Sequence, residues 1–118
     1  MTAYTFHGFD VNDETECLEA VKQDGTNLVF VKHQTEAICL EAVKQFGFNL
    51  QYVKDQTKAI CLEAVKQYGL ALQYVKEQTF DICCEAVKQN PAVAELIQDK
   101  QKFDSELKLN PVALFVKQ

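Results

Sequence analysis

There is no arginine in this sequence and no tryptophan; all 12 basic residues are lysine. Arginine's planar guanidinium is the side chain best suited to a bidentate grip on phosphate or carboxylate, so its absence weighs against such recognition. The net charge is −5 and the lysines are spread evenly. The clustered basic face that nucleic-acid binding needs is therefore missing, and no nucleic-acid partner is expected. No apolar run reaches the length of a membrane span, so no membrane partner is expected either. The opening segment, MTAYTFHGFD, lacks the basic stretch and apolar core of a signal peptide. Without an export signal, the five cysteines read as thiols in a reducing compartment, not as a disulfide framework. The glycines follow the helices singly, and none belongs to a G-x-x-x-x-G-K-[ST] phosphate loop. His7 and His33 are isolated, and neither has a nucleophile beside it in sequence.

What the chain does have is internal repetition. AICLEAVKQ fills residues 37–45 and returns unchanged at 59–67, with relatives TECLEAVKQ at 15–23 and DICCEAVKQ at 81–89. Cys17, Cys39, Cys61 and Cys83 are each 22 residues apart. At that period the chain divides into repeats 13–34, 35–56, 57–78 and 79–100. Residues 1–12 read as an N-terminal half repeat, with Phe6 and Phe9 on the register of Leu28 and Val31. Residues 101–118 read as a degenerate C-terminal cap, in which NPVALFVKQ echoes NPAVAELIQ at 90–98. The 118 residues thus form a single repeat domain.

Each repeat opens with helix signals. Thr35, Thr57 and Thr79, and Asp13 in the first copy, stand where an N-cap oxygen is wanted. Gly25, Gly47 and Gly69 stand where the helix stops, and a left-handed cap is expected there. On a helical wheel Ile38, Cys39, Ala42, Val43 and Phe46 make one apolar arc, which Leu40 extends. Only Glu41, Lys44 and Gln45 share a polar stripe, roughly 100° wide. A helix this apolar must be packed on several sides, as happens in a stack of repeats. The second segment is open to two readings. NLVFVK at 27–32 has the β-branched and aromatic content of a strand, which would imitate a leucine-rich repeat. Leu50 with Val53, and Leu72 with Val75, have the i,i+3 spacing of a short helix, and in the fourth copy Asn90-Pro91 reads as a cap and first-turn proline. The fold class expected is all-α: a short α-solenoid of stacked helix–turn–helix repeats.

LEAVKQ-x-G-x-x-LQYVK resembles an uncharacterised helical repeat family, a domain of unknown function common in proteins of amoeba-infecting giant viruses and found in some bacteria. The likeness is close over residues 13–89 and loose elsewhere. It implies an all-α fold, a viral source, and a setting in the host cytoplasm or nucleus or in the virion; it carries over no catalytic or binding residues. The departures are Asn90-Pro91 in place of glycine, Cys84 in place of leucine, and the shortened last copy.

The cysteine row is the obvious place to look for chemistry. Stacked helices lie roughly 8–10 Å apart, too far for disulfides along the row. Zinc sites draw ligands from short spacings such as C-x₂-C, which a 22-residue interval does not supply. The cysteines read as small core residues, with Cys84 at the edge of the arc and partly exposed. Glu19, Glu41, Glu63 and Glu85 each precede a lysine by three residues and read as helical ion pairs. Phe30, Tyr52 and Tyr74 read as core aromatics with hydroxyls at the surface. No catalytic, metal or cofactor residue is assigned, and the protein is expected not to be an enzyme. The expectation is a protein–protein interaction module whose partner, host, viral or a second copy of itself, meets Glu41, Lys44, Gln45, Glu63, Lys66 and Gln67. The alternative is a structural, self-associating virion component. An apolar end around Leu114, Phe115 and Val116 would account for a homodimer.

Overall fold

The computed structural model describes residues 8–115. Phe6, His7 and Val116 lie outside those residues. Among the described residues five α-helices alternate with four 3₁₀ segments: α1 (Glu14–Gln23), η1 (Gly25–Phe30), α2 (Glu36–Gln45), η2 (Gly47–Tyr52), α3 (Lys58–Gln67), η3 (Gly69–Tyr74), α4 (Phe80–Gln89), η4 (Pro91–Leu96) and α5 (Lys100–Leu109). Each helix packs on the next and each 3₁₀ segment on its successor, giving an elongated body of 58 × 23 × 19 Å. Its radius of gyration, 16.3 Å, exceeds the ~13 Å of a compact domain of about 100 residues. The all-α solenoid reading holds, and no strand is present among the described residues beyond a lone bridge at Asp10. The second segment is neither a strand nor an α-helix but a six-residue 3₁₀ turn pair.

The caps fall where the sequence placed them. The hydroxyls of Thr35, Thr57 and Thr79 accept from the N–H of Ile38, Ile60 and Ile82 at 3.2–3.3 Å, and the Asp13 carboxylate accepts from Glu16 at 2.9 Å. Every first helix is ten residues long because residue eleven turns extended: Phe46 has φ −157° and ψ 114°, and its N–H still donates to Ala42.

The repeat glycines do not take the left-handed conformation. Among the described residues only Gly8 has positive φ. Glycine is required instead by a close approach, since η1, η2 and η3 start against the C-terminus of the next helix. A Cβ on Gly47 would lie 2.5 Å from the Ala64 carbonyl oxygen, and one on Gly69 would lie 2.9 Å from that of Ala86. Pro91 can replace glycine in the fourth copy because no helix packs on the far side of η4.

The core is a ladder of equivalents. Leu28, Leu50 and Leu72 from the 3₁₀ segments, with Ile38, Ile60 and Ile82 from the helices, are fully buried. Each contributes about 1.5–3 kcal/mol by leaving water. Cys39, Cys61 and Cys83, with Ala42, Ala64 and Ala86, supply the small side chains that let neighbouring helices approach. Asn27 and Asn49 fold back to donate to the Ala20 and Ala42 carbonyls (3.0 and 2.9 Å), which makes Asn49 a satisfied buried polar residue.

A glutamine holds each of the three seams that follow. Gln34, Gln56 and Gln78 end their repeats, and each donates through Nε2 to a carbonyl of the next 3₁₀ segment: Tyr52 and Tyr74 at 2.8 Å, Leu96 at 3.2 Å. The Oε1 atoms accept from the backbone N–H of Lys54, Lys76 and Gln98, each at 2.9 Å. One primary amide thus does between repeats what a strand ladder does between strands.

The stack loosens at its end. α5 is capped by Asp99, two residues ahead of the 22-residue register, through a 3.0 Å bond to Lys102. Counting from the cap, Phe103 falls at the cysteine position and Glu106 at the alanine position. These larger side chains keep α5 from seating on α4 as α4 seats on α3; Phe103 packs on Phe80 with ring centroids 5.5 Å apart.

Candidate partner-binding surface

The face of each first helix turned away from the 3₁₀ segments carries a repeating set: Leu40, Glu41 and Lys44 on α2, Leu62, Glu63 and Lys66 on α3. Leu40, Glu41, Leu62 and Glu63 are half-buried, and Lys44 and Lys66 are exposed. The structure therefore brings together four of the six residues singled out from sequence, in two rows on neighbouring helices. The other two have local tasks. Gln45 donates to the Val21 and Lys22 carbonyls and accepts from the Gly25 N–H at 2.8 Å, so its amide is part of the seam with the first repeat. Gln89 accepts from the Gly69 N–H at 2.7 Å in the same way. Gln67 instead donates to the Glu63 carboxylate at 2.9 Å.

The helical ion pairs close only in part among the described residues. Lys22 meets Glu19 at 3.6 Å and Lys88 meets Glu85 at 3.0 Å, while the equivalent pairs of α2 and α3 stay open. Lys58 bridges to Asp81 on the next helix at 2.7 Å, an exposed contact worth at most about 1 kcal/mol.

Beside these rows runs an aromatic edge that the sequence reading placed in the core. Phe46 is not buried in the arc; it terminates α2 and is 49% exposed. Its ring lies 5.1 Å from Phe48, which meets Tyr68 at 4.6 Å and Tyr74 edge-on at 5.5 Å. In the outer repeats the same position is Asp24 or Asn90, whose side chain caps the 3₁₀ segment by accepting from Thr26 or Ala92. The Thr26 hydroxyl and N–H also hold the Asp24 carboxyl below its usual range. Phe46 and Tyr68 give up that cap. Tyr52 and Tyr74 are half-buried against the core as expected, and Phe30 is 38% exposed.

The thiols have no reactive character. All five are buried, Cys84 included: it is 5% exposed and lines a cavity shared with Asn110 and Ala113 of the C-terminal turn. Burial pushes Cys39, Cys61, Cys83 and Cys84 up to about 11. Cys17 is raised too, by burial first and then by the carboxylates of Asp10, Asp13, Glu16 and Glu14. At neutral pH these are protonated side chains, and a protonated thiol is a poor nucleophile. Their hydrogens point at structural acceptors, among them the clamp oxygens of Gln34 and Gln56 at 3.7 and 3.6 Å. No cluster of three metal-ligating side chains occurs among the described residues, and none of the helices described is long and apolar enough to cross a membrane.

Sequence reading missed the seam glutamines, although their signal was there: Gln34, Gln56 and Gln78 keep the 22-residue period through the first three repeats. No curated protein and no solved structure matches the chain. One family model matches twice in overlapping stretches, residues 35–79 and 57–99, as a 22-residue repeat requires and over more than half of the chain. The chain belongs to the family described as Domain of unknown function (DUF4116).

Proposed function

We propose that the protein is a non-enzymatic interaction module that docks another protein on the outer face of α2 and α3, and that its source is a giant virus, as the repeat signature implies. The observation that carries the reading is the doubled row: Leu40, Glu41 and Lys44 beside Leu62, Glu63 and Lys66, set on rigid helices whose inward sides are fully occupied. An extended surface presenting the same side chains at regular intervals is what stacked repeats build. The Phe46 and Tyr68 edge adjoins the helix ends and widens that surface with rings whose capping counterparts have been given up. The buried, protonated thiols remove the most conspicuous candidates for catalysis.

The test is capture from host-cell and viral lysates by the wild-type chain and by a variant carrying Glu41→Lys, Lys44→Glu, Glu63→Lys and Lys66→Glu. The expected result is a specific partner held by the wild type and lost by the variant at unchanged helicity. Equal capture by both overturns the row as the docking site.

A second reading, a self-associating structural component, is favoured by one observation. The C-terminal end exposes Leu109 (87%), Val112 (58%) and Phe115 (80%), while Leu114 turns inward. A solenoid cap ordinarily presents a polar outer side.

A further inference from the structure

We infer that residues 99–115 are an exchangeable element: the C-terminal helix and turn leave α4 of their own chain and seat on α4 of a second copy, which returns its own. The inference deepens the self-association reading by naming the interface, whose groove borders Leu62 and Lys66 of the row on α3.

The connection that delivers α5 is the first argument. From the end of a 3₁₀ segment to the next N-cap the chain uses residues 31–35, 53–57 and 75–79, five each time; before α5 it uses residues 97–99, only three. Short hinges favour exchange, because a connection too short to fold an element back comfortably is long enough to run straight into a neighbour. The altered path is visible at the cap: Asp99 has ψ 84°, where Thr35, Thr57 and Thr79 have 162–164°.

Weak attachment is the second argument. Among the described residues no side-chain amide ties α5 to α4, whereas the Gln45 amide of α2 donates to the Val21 and Lys22 carbonyls of α1. Phe103 and Glu106 hold α5 off α4 where cysteine and alanine let the earlier helices close. A groove of 370 Å³ remains between Leu62 and Lys66 on one side and Asn110 and Ala113 on the other.

The docking site itself is the third argument. The fourth repeat is adapted to be covered. Its leucine position is Cys84, which lines the same groove as Asn110 and Ala113 of the turn. The Glu85 and Lys88 side chains are only 14% and 18% exposed, against 62% and 48% for Glu19 and Lys22. The receiving face is thus specific to this segment, and a second copy offers the same face with the same occupant.

Light scattering across a wide range of concentration, on the full chain and on a variant with a Lys-Glu dipeptide inserted between Ile97 and Gln98, tests the inference. The insertion reproduces the V-K-E-Q-T connection of residues 75–79. The expected result is a mass that doubles with concentration for the native chain and stays monomeric for the insertion variant. Dimers of equal strength in both leave self-association standing and overturn exchange. Monomers in both overturn exchange and self-association together. A second measurement needs no variant: light and heavy isotope-labelled native chains are mixed, dimerised and treated with an amine cross-linker. Lys88–Lys108 links joining light to heavy chains are expected, and links confined to single chains overturn the exchange.

Discussion

Removing one seam glutamine should cost well more than an ordinary polar change on the surface. In Gln56→Ala the Tyr74 carbonyl and the Lys76 N–H lose partners at 2.8 and 2.9 Å, and the Cys61 thiol loses a weak acceptor at 3.6 Å. A buried polar group left unpaired costs about 1–3 kcal/mol. These groups are only partly buried, which places each near the lower end, and the sum is about 2–3 kcal/mol. For a chain of this size that lowers the melting temperature by about 4 °C per kcal/mol, so roughly 10 °C in all. Gln51→Ala is the internal control, because Gln51 donates only to the exposed Phe48 carbonyl of its own repeat, at 3.0 Å. Gln56→Glu sharpens the test. The carboxylate can still accept from Lys76 but faces the Tyr74 carbonyl without a proton. Its folded pKa is therefore raised above the ordinary ~4.3. Stability should be fully present below that unfolded value and be lost as pH rises through the folded one. Thermal melts by circular dichroism read the stability, and hydrogen exchange at Lys76 reads the lost bond. A Gln56→Ala protein within about 0.5 kcal/mol of wild type would refute the seam argument, since that is the spread of ordinary surface changes.

Gly47→Ala should destabilise by about 1–3 kcal/mol because its Cβ would press on the Ala64 carbonyl, whereas Pro91→Ala, with nothing stacked beyond it, should stay within about 0.5 kcal/mol; chemical denaturation compares them. Maleimide should leave all five thiols of the folded chain unlabelled at neutral pH and label them promptly in denaturant; rapid labelling of two or more in the native state would show that the core is not closed. Four thiols have folded pKa values of about 11, above the ordinary 9.0. Their share of the stability is present below pH 9 and is lost as pH rises toward 11, and a Cys39→Ala, Cys61→Ala chain should lose less over that interval.

Much of this architecture was legible in the 22-residue register. The register located the first helices, their threonine caps and the buried cysteines, because each depends on local spacing or on a side chain's own preference. Three features were not legible, and each for a physical reason. The glycines look like helix stops in sequence, yet their role is set by the Ala64 and Ala86 carbonyls of a neighbouring repeat. Phe46 falls inside the apolar arc only if the helix continues; it stops one residue earlier, and the ring swings out to Phe48 and Tyr68. The second segment could not be decided because a 3₁₀ turn pair has the apolar i,i+3 spacing of a helix and the β-branched content of a strand. Of the proposed surface, Glu41, Lys44, Glu63 and Lys66 stood out on the wheel. Gln45 did too, but its amide reaches back across a seam to carbonyls 23 and 24 residues away, which no local pattern reveals.

Those seams have a consequence for how such a protein can change. Each one is closed by a side-chain amide gripping main-chain atoms, and a main-chain carbonyl is the same whichever residue carries it. The residues on the outer helical face take no part in the grip. Mutations there can accumulate without disturbing the register of the stack, and whole 22-residue units can be copied into the middle with every joint already specified. Heritable variation on the outer face is therefore decoupled from the ability to fold.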